Sequence, residues 1–273
     1  MTRSAGPSLR LARYGFTDVA AAARLLGPAP AGLALWDETE LAPVDEAAGE
    51  VLTALSEAAD PSLALRQLHR LEEAARRCSV EGPLATMRTD PGLRSALTAV
   101  LGASITLGDE LVAQPTRWTA LRSLAFDPAD PFGGQPVDSP EALRVAHRNA
   151  LLRLAAADLI GMSDVDTTMR HLSALADATL AAGLRLAMAA HGVHPRLTVI
   201  AMGKCGGQEL NYVSDVDVIF VCESDVDLAD AQVVAADMMR ICGQVAWQVD
   251  ANLRPEGRKG PLVRTLASPE AYY

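Results

Sequence analysis

A chain of 273 residues with 49% apolar residues is long enough for two domains, each with its own core. A formal net charge of -10 argues against a broad nucleic-acid surface, which needs clustered positive charge, although it leaves nucleotide binding open. No apolar run reads as a bilayer span, since Arg185 interrupts the best one, 180–190, so no membrane partner is expected.

Residues 1–195 are rich in alanine and leucine with few aromatics and read as an all-helical region. Apolar periodicity places helices over 19–26, 46–59, 63–77, 93–100, 142–160 and 167–190. Pro28-Ala29-Pro30, Asp60-Pro61, Glu81-Gly82-Pro83, Asp90-Pro91 and the Gly/Pro-rich stretch 127–134 are read as breaks between them. Asp164 and Asp166 are expected to begin a helix and not to hold a metal. Arg144 and Arg148 share a helical face, read with Arg153 as solvated; packing toward the catalytic part or a substrate protein is the alternative. His69, His147, His171, His191 and His194 form no ligand pattern, and His191 and His194 are assigned to a linker. Trp36, Trp118 and Trp247 are expected to anchor cores or interfaces. Cys78, Cys205, Cys222 and Cys242 have neither disulfide nor metal-ligand spacing, and no secretory leader is evident, so a cytoplasmic location is expected.

From residue 196 the pattern becomes strand, turn, strand. The stretch 197–202 reads as a buried strand, and Gly203-Lys204-Cys205-Gly206-Gly207 as a tight turn whose glycines let amides approach phosphate oxygens. One or two helical turns over 208–211 are expected next, then a strand over 216–221, an amphipathic helix over 228–242 and a strand over 246–250. In an extended strand Asp215 and Asp217 face one side while Val216, Val218 and Phe220 face the other. Two such charges at roughly 4 Å repel by about 4 kcal/mol at an effective dielectric of 20, which calls for a cation or a proton. Mg²⁺ is the natural hard partner for these oxygens, and Asp250 adds a third carboxylate from a neighbouring strand. Asp225-Val226-Asp227 repeats the spelling but precedes a helix, where acids are read as caps. Gly203-Lys204 is not a Walker loop, since Cys205 stands where that motif needs Ser or Thr.

The string Met202-Gly203-Lys204-Cys205-Gly206-Gly207-Gln208-Glu209-Leu210-Asn211, followed by Ser214-Asp215-Val216-Asp217 and by Val249-Asp250-Ala251-Asn252-Leu253-Arg254-Pro255, closely resembles the bifunctional glutamine synthetase adenylyltransferase/adenylyl-removing enzyme family. That family lies within the DNA polymerase beta-like nucleotidyltransferase superfamily. The resemblance implies an α+β chain: an all-helical N-terminal region, 1–195, followed by a truncated polymerase beta-like nucleotidyltransferase mixed sheet with flanking helices, 196–273. It implies that Asp215, Asp217 and Asp250 are catalytic and hold Mg²⁺, that Gly206 and Gly207 receive phosphates through their amides, and that Lys204 and Arg254 supply cationic contacts. Cys205 and Asn252 depart from the residues associated with those positions in the family.

The helical stretch before the site and the start at Met1 fit the family's N-terminal copy, which removes AMP from a tyrosine of glutamine synthetase by phosphorolysis and releases ADP. The partners implied are glutamine synthetase, inorganic phosphate, an adenine nucleotide and a PII-type signal protein, with no nucleic acid. The family's domain continues beyond residue 273, so weak or absent activity is expected of this chain by itself. Another polymerase beta-like nucleotidyltransferase and a non-catalytic regulatory module are the alternatives.

Overall fold

In the computed structural model, which describes residues 7–254 and 256–266, Met1–Leu124 and Ala155–Met162 form one compact unit, and Ala125–Leu154 and Ser163–Tyr273 a second. The first unit carries α1 (Pro7–Ala12), α2 (Val19–Leu26), a hairpin of β1 (Trp36–Asp37) and β2 (Ala42–Pro43), α3 (Glu46–Glu57), α4 (Pro61–Arg77), α5 (Leu84–Met87), α6 (Pro91–Ala103) and α7 (Ile105–Ala113), then a 3-10 turn, Pro115–Arg122. Its core is built from leucines at helical spacing, among them Leu52 and Leu55 of α3, Leu65, Leu68 and Leu71 of α4, and Leu97 and Leu101 of α6, all fully buried. Trp118 is buried with its indole N–H donated to the Glu81 carbonyl at 3.1 Å, and buried Trp36 meets the Tyr14 ring edge-on.

The helix starts correct one expectation. Asp60 and Asp90, read from sequence as breaks, are N-caps: their carboxylates accept the N–H groups of Leu63 at 2.8 Å and Leu93 at 3.0 Å. Pro61 and Pro91 then occupy the first helical positions, where a missing N–H costs nothing, so both helices begin two residues earlier than the periodicity implied. Asp60→Ala or Asp90→Ala is expected to lower stability by about 1 kcal/mol. Urea midpoints indistinguishable from the parent's would remove the capping argument.

The second unit carries α8 (Pro140–Leu159) up to Leu154, then α9 (Val165–His191), β3 (Leu197–Ala201), α10 (Gly203–Gly206), β4 (Val216–Cys222), α11 (Leu228–Val245), β5 (Val249–Asp250) and β6 (Val263–Thr265). The unit that holds the sheet therefore begins well before residue 196. β4 is the central strand of a mixed sheet. It pairs antiparallel with the whole of β3, from Leu197 opposite Cys222 to Ala201 opposite Val218. Its first residues pair parallel with β5 and its last with β6. The architecture is α+β, as expected.

Val216, Val218, Phe220 and Cys222 are buried at alternate positions, in one core with Val234, Ala235, Met238, Ile241 and Cys242 of α11 and with Leu172, Leu175, Ala176 and Leu180 of α9. By length and composition α9 would pass for a membrane span, which the shorter stretch 180–190 does not reveal; its apolar face is instead in this core. Asp164 begins α9 as expected, accepting the Thr167 N–H at 2.7 Å, and Gly192 ends it in the left-handed region at φ 64°. His191 is the last residue of α9 and not part of a linker; its Nε2 lies 3.3 Å from the Asp237 carboxylate of α11. Asp227 stands at the start of α11 but caps no N–H, because its backbone is already helical; its carboxylate accepts from the Ser224 hydroxyl. Arg144 pairs with Glu141 one turn away, while Arg153 donates to the Pro131 carbonyl at 3.2 Å and so ties α8 to the 131–134 loop.

His147 of α8 is a buried histidine in this core. The Thr179 hydroxyl already donates to the Leu175 carbonyl, so His147 Nδ1 donates to Thr179 Oγ1 at 2.9 Å, and the ring meets Trp247 edge-on. Burial pushes its pKa down to about 4. With the folded value below the unfolded one, the unfolded chain binds the extra proton, so stability is complete above about pH 6.5 and is lost as pH falls toward 4. The loss expected is up to about 3 kcal/mol. Denaturant titrations at pH 7, 5.5 and 4.5 check it against His147→Phe, in which this part of the acid slope should vanish.

Candidate metal and phosphate site

The alternation that buries Val216 and Val218 turns Asp217 to the opposite face of the sheet, and Asp215 stands just ahead of the first paired residue of β4. Parallel pairing sets Asp217 directly across from Asp250 on β5. One carboxylate oxygen from each of Asp215, Asp217 and Asp250 lies within 4.8 Å of the others. Asp250 is oriented by an Asx turn in which its carboxylate accepts the Asn252 N–H at 2.7 Å. Asp217 has its pKa raised, first by desolvation and then by the charges of Asp215 and Asp250; the ammonium of Lys204 works against the rise. An all-oxygen cluster with one partly exposed, electrostatically crowded carboxylate at its centre suits a hard divalent cation.

The glycine segment does not form the turn followed by a helix over 208–211 that the sequence implied. The helical turn falls on the glycines themselves, as α10, and Gln208 then adopts φ 58° and ends it. The reason is local bonding: the Gly206 N–H donates to the Met202 carbonyl at 2.9 Å and the Gly207 N–H to the Gly203 carbonyl at 3.0 Å. Those two amides are thus committed within the turn, and what Gly206 contributes is clearance, since a Cβ there would stand 2.5 Å from the Ala201 carbonyl oxygen. Gly203, read from sequence only as part of the turn, lies against Asp217. It has φ +52°, and a Cβ on it would stand 2.5 Å from an Asp217 carboxylate oxygen. β3, expected to be buried, alternates between half-buried and exposed residues, and the signal for the close approach is the glycine just past its end.

Lys204 is exposed on α10, within electrostatic reach of Asp217. Arg254 is half-buried and turned onto the main chain, donating to the carbonyls of Ala251 and, at 3.4 Å, Gly260. It therefore closes the 251–260 loop beside Asp250. Arg258 donates to the Asn252 side chain at 3.2 Å, and Arg264 pairs with Glu256 at 3.0 Å. Cys205 is the buried residue of α10, 3.9 Å from Asp177, and its thiol is pushed up to about 12 by burial and the charges of Asp177 and Asp217, which disfavours the thiolate. All four cysteines are free thiols.

A family model described as glutamate-ammonia ligase adenylyltransferase matches residues 106–273. The chain belongs to that family. The match takes in every element of the candidate site. Curated proteins named bifunctional glutamine synthetase adenylyltransferase/adenylyl-removing enzyme are similar to it: one from Streptomyces coelicolor at 47% identity over 97% of this chain, one from Streptomyces avermitilis at 45% over 97%, and one from Mycobacterium avium at 43% over 96%. The chain spans only 28% of the length of the first of these family members and 27% of the other two.

Proposed function

We propose that the segment 196–273, mounted on α8 and α9, is a nucleotidyltransferase catalytic segment that removes AMP from an adenylylated tyrosine of glutamine synthetase by phosphorolysis, releasing ADP. The observation that carries the reading is the convergence of Asp215, Asp217 and Asp250 within 4.8 Å on the open face of β4 and β5, in a chain of this family. Support for the removing copy over the adenylylating one comes from the long helical region that precedes the site; the names of the relatives carry both activities and favour neither.

Asp215, Asp217 and Asp250 would hold Mg²⁺. Bound there, the ion would neutralise charge developing on the adenylyl group as it is transferred and would help align the attacking phosphate. The chain's own residues do the positioning. Parallel pairing of β4 with β5 fixes the spacing of Asp217 and Asp250, and the Asn252 N–H fixes the rotation of Asp250. Gly203 lets α10 approach the carboxylates, and Lys204, exposed on α10, offers an ammonium to an incoming phosphate oxygen. Arg254 braces the loop after Asp250, with Gly206 and Gly207 keeping the phosphate side of α10 free of side chains. Inorganic phosphate is an anionic nucleophile at neutral pH, so no residue is assigned as general base. The setting proposed is the cytoplasm, with glutamine synthetase as partner and a PII-type signal protein as regulator.

The test is phosphate- and Mg²⁺-dependent release of ADP from adenylylated glutamine synthetase, run on this chain and on a longer protein that contains it. ADP formation that needs both phosphate and Asp217 supports the reading. Transfer from ATP to unmodified glutamine synthetase, with no phosphorolysis, would reassign the site to the opposite reaction.

A further inference from the structure

Asn211 lies in the string that carries the family resemblance, yet neither the metal site nor the phosphate contacts use it. The structure gives it a different task. Its side-chain oxygen accepts the Val213 N–H at 3.0 Å and the Ser214 hydroxyl at 3.1 Å, and its own N–H donates to Ser214 Oγ at 3.3 Å. The Ser214 N–H returns to the Asn211 carbonyl at 3.3 Å, closing the segment 211–214 on itself. One residue upstream, the buried Leu210 donates its N–H to Ser173 Oγ of α9, and that hydroxyl donates to the Met169 carbonyl at 2.9 Å, so the loop's entry is fixed to the core.

Burial cannot hold the tip of this loop. Val213 is 93% exposed and Tyr212 46%, and the bonds centred on Asn211 reach across this exposed tip to Val213 and Ser214. Their consequence falls on the next residue, Asp215. Asp217 and Asp250 sit inside paired strands, and Asp250 has the Asn252 N–H besides, whereas Asp215 precedes the first paired residue of β4 and takes its place from the loop that delivers it.

We infer that Asn211 is a positioning residue, a latch whose side-chain carbonyl sets the 211–214 loop and thereby the reach of Asp215 toward the other two carboxylates. The inference rests on the metal-binding reading proposed above. It implies that loss of the acceptor loosens the loop and weakens cation binding, while an isosteric acceptor keeps the loop closed.

Binding of Mn²⁺ to the 273-residue chain without substrate, read from the electron paramagnetic resonance signal of the free ion, tests the first consequence. Asn211→Ala should weaken binding about 10-fold, the scale of losing a residue that orients a ligand. Hydrogen exchange of peptides covering 210–217 tests the second: exchange should rise in Asn211→Ala and stay at the parent level in Asn211→Asp, which keeps the acceptor oxygens. Asp217→Asn serves as the control for the site. If the parent binds Mn²⁺ no better than Asp217→Asn, the metal reading falls and takes the inference with it. If the parent binds Mn²⁺ and Asn211→Ala binds it equally well, or if both Asn211 variants exchange alike, the latch alone is overturned.

Discussion

Asp217→Asn should reduce phosphorolytic ADP release by about 10³-fold, a loss near 4 kcal/mol of transition-state stabilisation, while leaving the metal-free protein at least as stable as its parent. The first half follows from position. Asp217 is the carboxylate opposite Asp250 in the strand register, the one beneath Gly203, and the one on which the charges of Asp215, Asp250 and Lys204 all act. An amide in its place keeps the shape and removes the charge that a hard cation needs at the centre of the cluster. The second half follows from the sign of the shift. Its folded pKa is raised, so the folded chain holds this proton more tightly than the unfolded chain, and above the ordinary aspartate value of 3.8 the ionised carboxylate costs stability that a neutral amide does not. Because Asp217 is only partly buried, solvent screening keeps that gain small, on the order of 1–3 °C in Tm. Divalent cation should raise the parent's Tm and not the variant's. ADP-release kinetics and thermal melts with and without Mg²⁺ check both halves together: a variant that is inactive because it is unfolded would melt lower, and near-normal activity would remove the metal assignment. Asp225→Asn is the matched control, since that acid is exposed in the turn after β4 and should leave activity intact.

Where local chemistry and tertiary packing ask for the same residue, the sequence could be read directly. The α2 helix falls on 19–26 as its periodicity implied, and the alternation from Val216 onward gave both the β4 strand and the common side of Asp215 and Asp217. Asp250 could be joined to them because a β-strand, helix, β-strand order favours parallel neighbours, and β5 does pair parallel with β4. Legibility failed where packing overrode a local rule. α7 went unnoticed because it contains Gly108 and follows Ser104; Ser104 is in fact its N-cap, and Gly108 packs so close to Gln67 that a Cβ would stand 2.7 Å from it. β6 has only three residues and exists through its pairing with the far half of β4, a partnership no local pattern announces. The glycines of α10 read as a tight turn that exposes its amides to phosphate; what decides there is the need for clearance from the main chain and from Asp217.

That clearance sorts three neighbouring glycines into three different outcomes. In Gly203→Ala the new methyl would stand 2.5 Å from an Asp217 oxygen at a backbone φ of +52° that L-residues avoid, so either the carboxylate or the start of α10 must move. Since α10 follows β3 directly and the Met202 N–H is bonded to the Asp217 carbonyl at 2.8 Å, the side chain is the part free to give way, and displacement of a carboxylate by about 1 Å is expected to cost about 10²-fold in rate. Gly206→Ala meets main chain instead: the Ala201 carbonyl oxygen at 2.5 Å cannot rotate away, and the expected result is a lower Tm. Gly207→Ala meets nothing closer than 3.4 Å at an ordinary backbone φ of -77° and should change neither property by more than a few-fold or a few degrees. Parallel measurement of Tm and ADP release on the three variants distinguishes a glycine that serves the carboxylate from one that serves the fold. Equal losses at Gly203 and Gly207 would contradict the geometry, because only one of them faces Asp217. Activity lost at Gly203 with the melting curve retained would place the functional requirement of this glycine-rich turn at its first residue, ahead of the pair that sequence alone singles out.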